Sequence, residues 1–589
     1  MKKLFNILKE KLAPLSSKLQ SLKSILPQKK PHSEKYYKRI AFLNKYSLIF
    51  HFLLACLLIL AVETISRRDF VSAITFISNH TLAFLYNALI IFASLSLVYL
   101  TKYRTQMRIL ISGLWIFLGT VNGLILSNRV TPFSYTDLKC LPDLFAMQNT
   151  NYFTAEEATM VVSVVVAFFV ILGLLFAKGP RYQGKRHTVL GPVSIAALIL
   201  IGLPITTQAA QSSNILASYF ANIAQGYSDY GFVYGFSTSV VGRGMDKPED
   251  YSEETVDAIN TLVDSASSPT TVSTGSEPNV ICVLLESFCD PYEVNFLNMS
   301  EDPIPNFHNL EANYSTGYLT VPVVGAGTAN TEFEVLTGMS MQYFGTGEYP
   351  YKTILKQTDC ESIADDLSQI GYGTHVVHNN TATFYSRNNA FSMMGFDTFT
   401  SKECMNISQY TPNGNWPTDD VLVQETVKAM NATENQSDFV YTITVEGHGD
   451  YPTEKLLENP DILVSGAADE ASNNQWEYYV NMIHEVDDFI GDLITAVDRR
   501  GEDTIIVFFG DHLPTMGLTD ADMKSGDIFK TKYITWNNMG LAKKDADLTA
   551  YQLLAHITDQ AGIHEGTMFR YHQTQTASET YLSCAGEGK

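Results

Sequence analysis

The first third of the chain contains five apolar stretches separated by short polar loops. They lie near residues 46–65, 82–101, 107–127, 158–178 and 189–207. Each can supply the roughly 20 residues that an α-helix needs to cross a bilayer. The pattern therefore predicts a five-helix membrane domain over residues 46–207. The fifth stretch contains two prolines, and a re-entrant helix there would leave the rest of the chain in the cytoplasm.

A different pattern begins at residue 278, where short apolar runs alternate with stretches of helical period. Three of the runs are NVICVLLESF, FVYTITVEGHGDYP and DTIIVFFGDHLP. Each is typical of a buried strand with polar residues at its end. The alternation predicts an α/β domain over residues 278–589.

A connector is predicted between these two parts, over residues 208–277. NILASYFANIAQGY can form an amphipathic helix that lies against the membrane or the outer domain. YSEETVDAINTLVDSA has a helical period, with Ser252 as its predicted N-cap. The run SASSPTTVSTGSEP is typical of a linker.

The charge of the chain differs sharply between its two ends. Residues 1–45 carry twelve Lys and Arg against two acidic residues, whereas the chain from residue 211 onward carries 17 Lys and Arg against 54 Asp and Glu. The loops after the second and fourth apolar stretches are also basic. Because basic loops stay in the cytoplasm, we expect a cytoplasmic N-terminus (1–45) and an extracytoplasmic outer domain. The acidic outer domain argues against nucleic-acid binding.

Cysteine gives little information about the fold. The seven cysteines include no CxxC pair, which argues against a zinc–thiolate site. An odd and sparse set is also not the pattern of a disulfide framework, although one bridge outside the membrane stays open.

Polar side chains follow the three predicted strands. Glu286 ends the first, His448 follows the second, and Asp511 and His512 end the third. Ligand sites in open α/β sheets lie beyond the carboxyl ends of the strands. Oxygen and imidazole ligands suit Mn²⁺, Mg²⁺ or Zn²⁺. Each residue alone has another interpretation, namely a helix cap, a turn or a surface histidine, but three such placements in one domain favour a metal site.

A candidate nucleophile lies in VPVVGAGTANTEFEVLTG, where Thr328 follows a glycine-rich turn and precedes a helix-like segment. Oriented N–H groups at a helix N-terminus favour phosphate binding. A bound divalent metal would lower the hydroxyl pKa enough for attack at neutral pH. The alternative from local sequence alone is that Thr328 is an ordinary N-cap.

Five motifs in order carry a family resemblance. They are NVICVLLESF, GAGTANTEF, HNNTATFYSRN, TVEGHGDYP and FFGDHLP. Together with the five spans and the connector, they resemble the lipoteichoic acid synthase and phosphoglycerol transferase family, within the alkaline phosphatase/sulfatase superfamily. The resemblance implies a mostly parallel sheet between helices. It also implies one divalent metal ion, with Mn²⁺ expected first and Mg²⁺ or Zn²⁺ as alternatives.

The resemblance implies a role for individual residues. Glu286, Thr328, Asp511 and His512 correspond to the metal site, with Thr328 as the nucleophile. The residues that correspond to phosphate and glycerol binding are His378, Tyr385, Arg387 and His448. A guanidinium such as that of Arg387 can bind phosphate oxygens through two hydrogen bonds.

The chain departs from the family pattern at two substrate-pocket positions. Tyr385 stands where tryptophan is more common, and Asn380 stands where an acidic residue is common. A sulfatase would need C/S-x-P-x-R, and the nearest match, which begins at Cys289, has Glu293 in place of Arg. These departures leave the head group and acceptor open and disfavour sulfatase activity.

The expected function is that of a metal-dependent membrane transferase in cell-wall polymer synthesis. By resemblance, a phosphoglycerol group moves from the phospholipid donor phosphatidylglycerol, through Thr328, to a glycolipid or a growing polymer. Two alternatives remain open: a phosphoethanolamine transferase or phosphodiesterase of the same superfamily, and a non-catalytic membrane sensor or scaffold.

Overall fold

The structure is a computed structural model and describes most of the 589-residue chain. The described residues are 33–126, 131–139, 155–179, 182, 187–217, 220, 223–242, 245, 251–265, 277–433 and 436–575. Most of the basic N-terminus and most of the Ser/Thr/Pro-rich linker lie outside these ranges.

Apolar helices occupy all five predicted spans. The helices of this region are α1 (Glu34–Lys45), α2 (Ser47–Ser66), α3 (Phe70–Asn79), α4 (Thr81–Ser96), α5 (Arg104–Ile125), α6 (Ala155–Lys178) and α7 (His187–Ser212). Within the described residues, α2, α4 with its 3₁₀ extension to Leu100, α5 and the Val193–Ser212 part of α7 are long and apolar enough to cross a membrane. The described apolar part of α6 is Val166–Ala177.

Large apolar side chains on these helices point outward. Leu57, Leu198 and Ile201 are 64%, 71% and 71% exposed. A helix surface of this kind is stable only where lipid replaces water around it. The composition, the helix lengths and this exposed apolar surface together identify a membrane protein.

The connector differs from its prediction at one point. α7 continues to Ser212 and ends in a turn where Asn214 has φ 54°. The segment 214–227 therefore does not form one amphipathic helix, since α8 (Ile223–Tyr230) covers only its end and α9 (Phe232–Val241) follows. The helix with Ser252 as N-cap is confirmed as α10 (Glu253–Ser265), with Thr255 N–H donating to Ser252 Oγ.

Polar side chains of the membrane helices hold α9. The first N–H groups of a helix have no partner inside it. Phe232 N–H donates to Glu63 Oε1 of α2 at 2.8 Å, and Tyr234 N–H donates to Asn87 Oδ1 of α4 at 2.7 Å. Asn87 Nδ2 also donates to the carbonyl oxygen of Tyr230. Two membrane helices therefore cap the helix that leads to the outer domain.

The outer domain is built on an eight-stranded sheet in the order β10-β3-β9-β8-β1-β6-β4-β5. The strands are β1 (Asn279–Leu285), β2 (Asn298–Met299), β3 (Thr316–Thr320), β4 (Gly373–His378), β5 (Thr398–Ser401), β6 (Asp438–Ile443), β7 (Val464–Ser465), β8 (Thr504–Gly510), β9 (Lys530–Asn537) and β10 (Leu548–Thr549). β2 and β7 form a separate antiparallel pair. Within the sheet only β9 runs antiparallel to its neighbours, so the predicted mostly parallel sheet is confirmed.

Helices cover both faces of this sheet. They are α11 (Pro305–Asn313), α12 (Thr328–Thr337), α13 (Ile363–Gln369), α14 (Arg387–Met393), α15 (Val421–Met430), α16 (Glu470–Asp498) and α17 (Leu553–Ala561). Side chains of β1 alternate between two cores, with Cys282 packed on the face of α12, α13, α14 and α17, and Val283 on the face of α11, α15 and α16. Burial on both faces explains the unbroken apolar run of β1.

The membrane domain contacts the outer domain through residues 131–139, which follow α5. Thr131 Oγ1 donates to the carbonyl oxygen of Val324, and Ser134 Oγ donates to that of Gly347, each at 3.3 Å. A Cβ at Gly347 would lie 2.7 Å from Ser134 Cβ, and Gly347 has φ 68°. The close approach of Ser134 therefore requires glycine at position 347. The Thr131 contact lies at Val324, in the segment that leads to Thr328.

We predict that Asn87→Ala weakens the connection between α4 and α9. The substitution removes the partners of Tyr234 N–H and the Tyr230 carbonyl, so unfolding free energy should fall by about 1–2 kcal/mol. Thermal unfolding of the detergent-solubilised chain measures this change. Asn79→Ala, at an exposed position of α3, is the matched control, and an equal effect of both variants would contradict the interpretation.

Candidate active site

The turn after β1 positions Glu286. This side chain is 5% exposed, and its backbone N–H donates to Thr444 Oγ1 at 2.8 Å. Ser287 has φ 54°, a left-handed conformation that is uncommon outside glycine. The Tyr479 hydroxyl of α16 donates to the Ser287 carbonyl oxygen at 2.8 Å and accepts from Cys289 N–H at 2.9 Å. A buried tyrosine therefore holds the strained turn that directs Glu286.

The end of β8 positions Asp511 and His512, both buried. Asp511 Oδ1 accepts hydrogen bonds from Ser287 N–H at 2.8 Å and from His512 N–H at 2.9 Å. Asp511 Oδ2 is buried without a hydrogen-bond partner among the described residues. His512 Nδ1 lies 3.0 Å from the Leu513 carbonyl, which fixes the proton on Nδ1. The other ring nitrogen, Nε2, lies 3.2 Å from Asp511 Oδ2.

These residues form a cluster that fits a cation. Glu286, Asp511 and His512 each offer one ligand atom, and these atoms lie within 4.8 Å of one another. Burial first, and the Glu286 carboxylate second, raise the pKa of Asp511 above its usual range. Two carboxylates that face each other in a buried site, with an imidazole nitrogen beside them, are stabilised by a positive charge between them. The donor set suits a divalent metal ion.

Thr328 reaches the cluster from α12. The helix begins at Thr328, and Gly327 is its N-cap, with φ 104°. The alternative in which Thr328 is itself the N-cap is therefore wrong. Thr328 Oγ1 donates to Glu286 Oε2 at 3.2 Å and lies 3.4 Å from His512 Nε2. The hydroxyl is thus in direct contact with two of the three candidate ligands, at the positive end of the helix.

Arg387 has a partner that the sequence analysis did not include. It is fully buried and pairs with Glu332 of α12, with Nη2 donating to Oε1 at 2.6 Å and Nε donating to the same oxygen at 3.1 Å. Glu332 follows Thr328 by four residues, so both side chains lie on one face of α12. The Tyr351 hydroxyl also donates to Glu332. The helix that carries the candidate nucleophile therefore also fixes the arginine.

His378 and His448 lie within electrostatic reach of Arg387. Burial first, and the charge of Arg387 second, lower the pKa of His378 well below its usual range. Its Nδ1 lies 2.9 Å from the Ile443 carbonyl oxygen, whereas its Nε2 is buried without a partner among the described residues. Burial also lowers the pKa of His448, which packs on Trp416 with 4.3 Å between ring centroids. Both histidines are therefore neutral at pH 7, and His448 is not a freely exposed surface residue.

Tyr385 lies beside Arg387 in an unusual backbone. Tyr385 and Ser386 have φ 55° and 62°. The Tyr385 ring stacks on Tyr349 with 5.5 Å between centroids, and the Arg387 guanidinium lies 5.3 Å from it. Two consecutive non-glycine residues in the left-handed region cost of order 1–3 kcal/mol each. Such strain clusters at ligand-binding sites, and here it orients an aromatic ring at a predicted substrate-pocket position.

The sheet explains why the predicted residues converge. β8, β1, β6 and β4 are parallel neighbours. His512, Glu286 and His448 follow the carboxyl ends of the first three, and His378 is the last residue of β4, so all four lie at one edge of the sheet. No helix begins at Glu286, so its interpretation as a helix cap is wrong. The sequence analysis missed Glu332, although its spacing from Thr328 was a readable signal, and Tyr479, for which the sequence gives no local signal.

The outer domain is similar to known proteins. Residues 278–563 match the sequence model of the Sulfatase family. A Rhizobium meliloti (strain 1021) protein assigned to cyclic beta-1,2-glucan modification is 26% identical over 385 residues, which are 62% of this chain and 58% of the relative. The lipoteichoic acid synthase of Staphylococcus saprophyticus is 23% identical over 242 residues, which are 40% of this chain and 35% of the relative. The chain thus spans little more than half of the first relative's length and about a third of the second's.

Solved structures also match part of this chain. Among them is the phosphoglycerol transferase GacH of Streptococcus pyogenes in complex with sn-glycerol-1-phosphate. The sequence identity is 22% and the TM-score 0.49, over 56% of this chain and 87% of that chain.

We predict that Asp511→Asn lowers the affinity for Mn²⁺ by roughly a hundredfold, because one of two charged ligands is lost. Isothermal titration of the metal into the detergent-solubilised chain measures this affinity without any turnover. Asp461→Asn replaces an exposed aspartate outside the cluster and should bind the ion as the unmodified chain does. Unchanged affinity in Asp511→Asn would contradict the metal site.

We predict that Glu332→Gln misplaces Arg387 without affecting the metal ligands. The KM for a phosphodiester substrate should rise roughly tenfold, with a smaller change in kcat, because the loss is one of ground-state binding. The affinity for Mn²⁺ should stay unchanged. Glu458→Gln, at an exposed position, is the matched control.

Unfolding of the Glu332→Gln variant has to be measured alongside, since an unpaired buried charge costs about 3–5 kcal/mol. Glu332→Asp keeps the charge and should restore part of the KM. A loss of Mn²⁺ affinity equal to the loss of substrate affinity would contradict a separate role in orienting Arg387.

Proposed function

We propose that this membrane protein is a phosphoglycerol transferase, because residues 278–563 match the sequence model of the Sulfatase family and the motifs of the chain resemble the alkaline phosphatase/sulfatase superfamily. It moves glycerophosphate from phosphatidylglycerol to a hydroxyl of a glycolipid or a growing polymer. One observation carries the proposal: the Thr328 hydroxyl lies 3.2 Å from Glu286 Oε2 and 3.4 Å from His512 Nε2 at the start of a buried helix. Relatives named for polymer and glycan modification support this choice of substrate class.

In the first step Thr328 Oγ1 forms a bond to the donor phosphorus, and the bond from phosphorus to the diacylglycerol oxygen breaks. The Thr328 proton passes toward Glu286 Oε2, to which the hydroxyl already donates. Glu286, Asp511 and His512 would hold one divalent metal, most simply Mn²⁺. Such an ion would lower the pKa of the Thr328 hydroxyl and offset negative charge on the phosphoryl group. Arg387, held by Glu332, balances the remaining charge on the phosphoryl oxygens.

The two histidines are suited to different roles. His448 is neutral and therefore retains one N–H, which can donate a hydrogen bond to the departing diacylglycerol oxygen, and that oxygen takes its proton from solvent water. His378 carries its proton on Nδ1, toward the Ile443 carbonyl, so its Nε2 is an acceptor. In the second step Nε2 can accept the proton of the acceptor hydroxyl as that oxygen forms a bond to phosphorus. The bond from phosphorus to Thr328 Oγ1 breaks, and Oγ1 takes back the proton that Glu286 Oε2 accepted in the first step.

Sulfate-ester hydrolysis fits these residues poorly. Thr328 occupies the nucleophile position, and threonine is not the cysteine or serine that is converted to formylglycine. Cys289 is only 3% exposed, and burial raises the pKa of its thiol well above its usual range. A non-catalytic sensor is also disfavoured, since every candidate ligand and the nucleophile are present.

The proposed orientation places the active site next to its lipid donor. With a cytoplasmic N-terminus (1–45) and five spans over 46–207, the connector (208–277) and the catalytic domain (278–589) lie outside. Contacts of Thr131 and Ser134 with the outer domain hold the nucleophile loop close to the membrane helices. A head group at the bilayer surface is then within reach.

We predict that the full-length chain releases diacylglycerol from fluorescent phosphatidylglycerol only with Mn²⁺ or another divalent ion. Thr328→Ala should lower this rate by at least about a thousandfold, because the nucleophile is lost. Mass spectrometry should find glycerophosphate on the peptide that contains Thr328. Thr358→Ala, at an exposed position, is the control.

The same assay separates the alternatives. Turnover of phosphatidylethanolamine instead of phosphatidylglycerol would keep the mechanism and assign a phosphoethanolamine transferase. Release of glycerophosphate to water at the same rate with and without an acceptor would assign a phosphodiesterase. Diacylglycerol release that survives Thr328→Ala would exclude the covalent mechanism.

A further inference from the structure

A cavity of about 170 Å³ lies against the face of α12 that points away from the candidate active site. Asn330 and Glu334 of α12 line it, and they lie one helical turn apart on one face. Thr328 and Glu332 lie on the opposite face, where they contact the metal ligands and Arg387. The cavity is therefore distinct from the site of the proposed phospho-transfer.

Two parts of the chain build this cavity. Phe220 and Ile223 of the connector form one wall. The outer domain forms the others through α12 and through residues 340–348, which also contain the membrane contact at Gly347. The cavity is thus complete only where the connector and the outer domain meet.

A buried acceptor in the cavity wall has no partner. Asn330 is 5% exposed, and its Nδ2 donates to the Glu348 carbonyl oxygen at 3.1 Å. Its Oδ1 is buried without a hydrogen-bond partner among the described residues. A buried carbonyl oxygen without a donor costs about 1–3 kcal/mol. We therefore expect a ligand in the cavity to donate a hydrogen bond to Asn330 Oδ1.

Glu334, the second polar side chain on this face of α12, can donate a hydrogen bond. Glu334 Oε1 accepts the Met341 N–H at 2.7 Å, and the side chain is 4% exposed. Burial raises the pKa of Glu334 to about 8. At neutral pH the carboxyl group is mostly protonated, so it offers a hydroxyl donor beside the Asn330 acceptor.

The remaining lining decides the class of ligand. It contains no Lys, Arg or His, so it offers no counter-charge to a phosphate or carboxylate. Its other polar groups are hydroxyls, the Gln342 amide and the Glu348 carboxylate, whose Oε2 accepts the Gly345 N–H, and its aromatic side chains include Phe220, Phe344 and Tyr551. Hydrogen-bonding groups without a positive charge, beside aromatic surface, suit a molecule with many hydroxyls and apolar C–H faces. A water molecule needs only about 10–15 Å³ of such space, so the cavity admits a much larger ligand.

We propose that this cavity binds a neutral glycosyl unit of the acceptor glycan. The role as acceptor site rests on the proposed transferase function, whereas the binding of a neutral sugar does not. The sugar donates a hydroxyl hydrogen to Asn330 Oδ1 and accepts one from Glu334. A glycan anchored there on one side of α12 leaves its free end able to reach Thr328 on the other.

Binding is tested with the full-length chain in a sugar-free zwitterionic detergent. Saturation-transfer NMR measures the affinity of a β-linked glucose disaccharide, with inorganic phosphate as the competing probe. Asn330→Ala removes the acceptor and should weaken binding by roughly two- to tenfold. Thr346→Trp fills the cavity and should abolish binding. Tyr343→Trp, 64% exposed and outside the lining, is the matched control and should bind as the unmodified chain does.

Two results would overturn the proposal: disaccharide affinity that is unchanged in both lining variants, or displacement of the disaccharide by phosphate. If Thr346→Trp does not fold, Asn330→Ala alone decides. Diacylglycerol release from phosphatidylglycerol is measured in parallel. Release without sugar binding rejects this site and keeps the transferase, whereas sugar binding without release keeps the site and rejects the transferase.

Discussion

Helix α12 is buried along its whole length although six of its ten residues are polar, and polar side chains in such a position need partners inside the protein. Thr328 contacts the candidate metal ligands, and Glu332 pairs with Arg387. Thr331 Oγ1 donates to the Asp511 carbonyl oxygen at 2.9 Å. These contacts connect the nucleophile, the arginine and β8 through one short helix. Any movement of α12 would separate buried charges, so the geometry of the site is fixed by the same contacts that stabilise the domain.

Backbone strain is concentrated around this helix. Ser287, Tyr385 and Ser386 are non-glycine residues with positive φ, and all three lie beside candidate site residues. Strained conformations persist only where surrounding contacts over-determine them. The Tyr479 hydroxyl supplies such contacts at Ser287, and stacking on Tyr349 supplies them at Tyr385. Contacts with the stable core of the domain thus hold a few strained residues, and these residues orient side chains at one edge of the sheet.

The sequence predicted the parts of this structure that depend on local pattern. Buried strands are continuous apolar runs, so the polar residues at their ends were visible, and parallel neighbours bring such ends together. The contacts that orient those residues were not visible. Glu332 and Arg387 lie 55 positions apart, and Tyr479 lies 192 positions from Ser287. The break before α8 was also missed, because tertiary contacts of α9 with Glu63 and Asn87 decide where the connector helices begin.

In the proposed transferase, the contact between the two domains constrains where the lipid donor can react. Thr131 and Ser134 bind carbonyl oxygens of Val324 and Gly347, so the segment before Thr328 is attached to the membrane domain by its backbone. Gly347 admits Ser134 only because it has no Cβ. A donor held in the bilayer can exchange its head group only with an atom at a fixed height above the surface. Direct attachment of the loop before Thr328 to the membrane domain fixes this height, whereas a flexible linker alone would not. In the proposed transferase the membrane domain is therefore part of the catalytic geometry and not only an anchor.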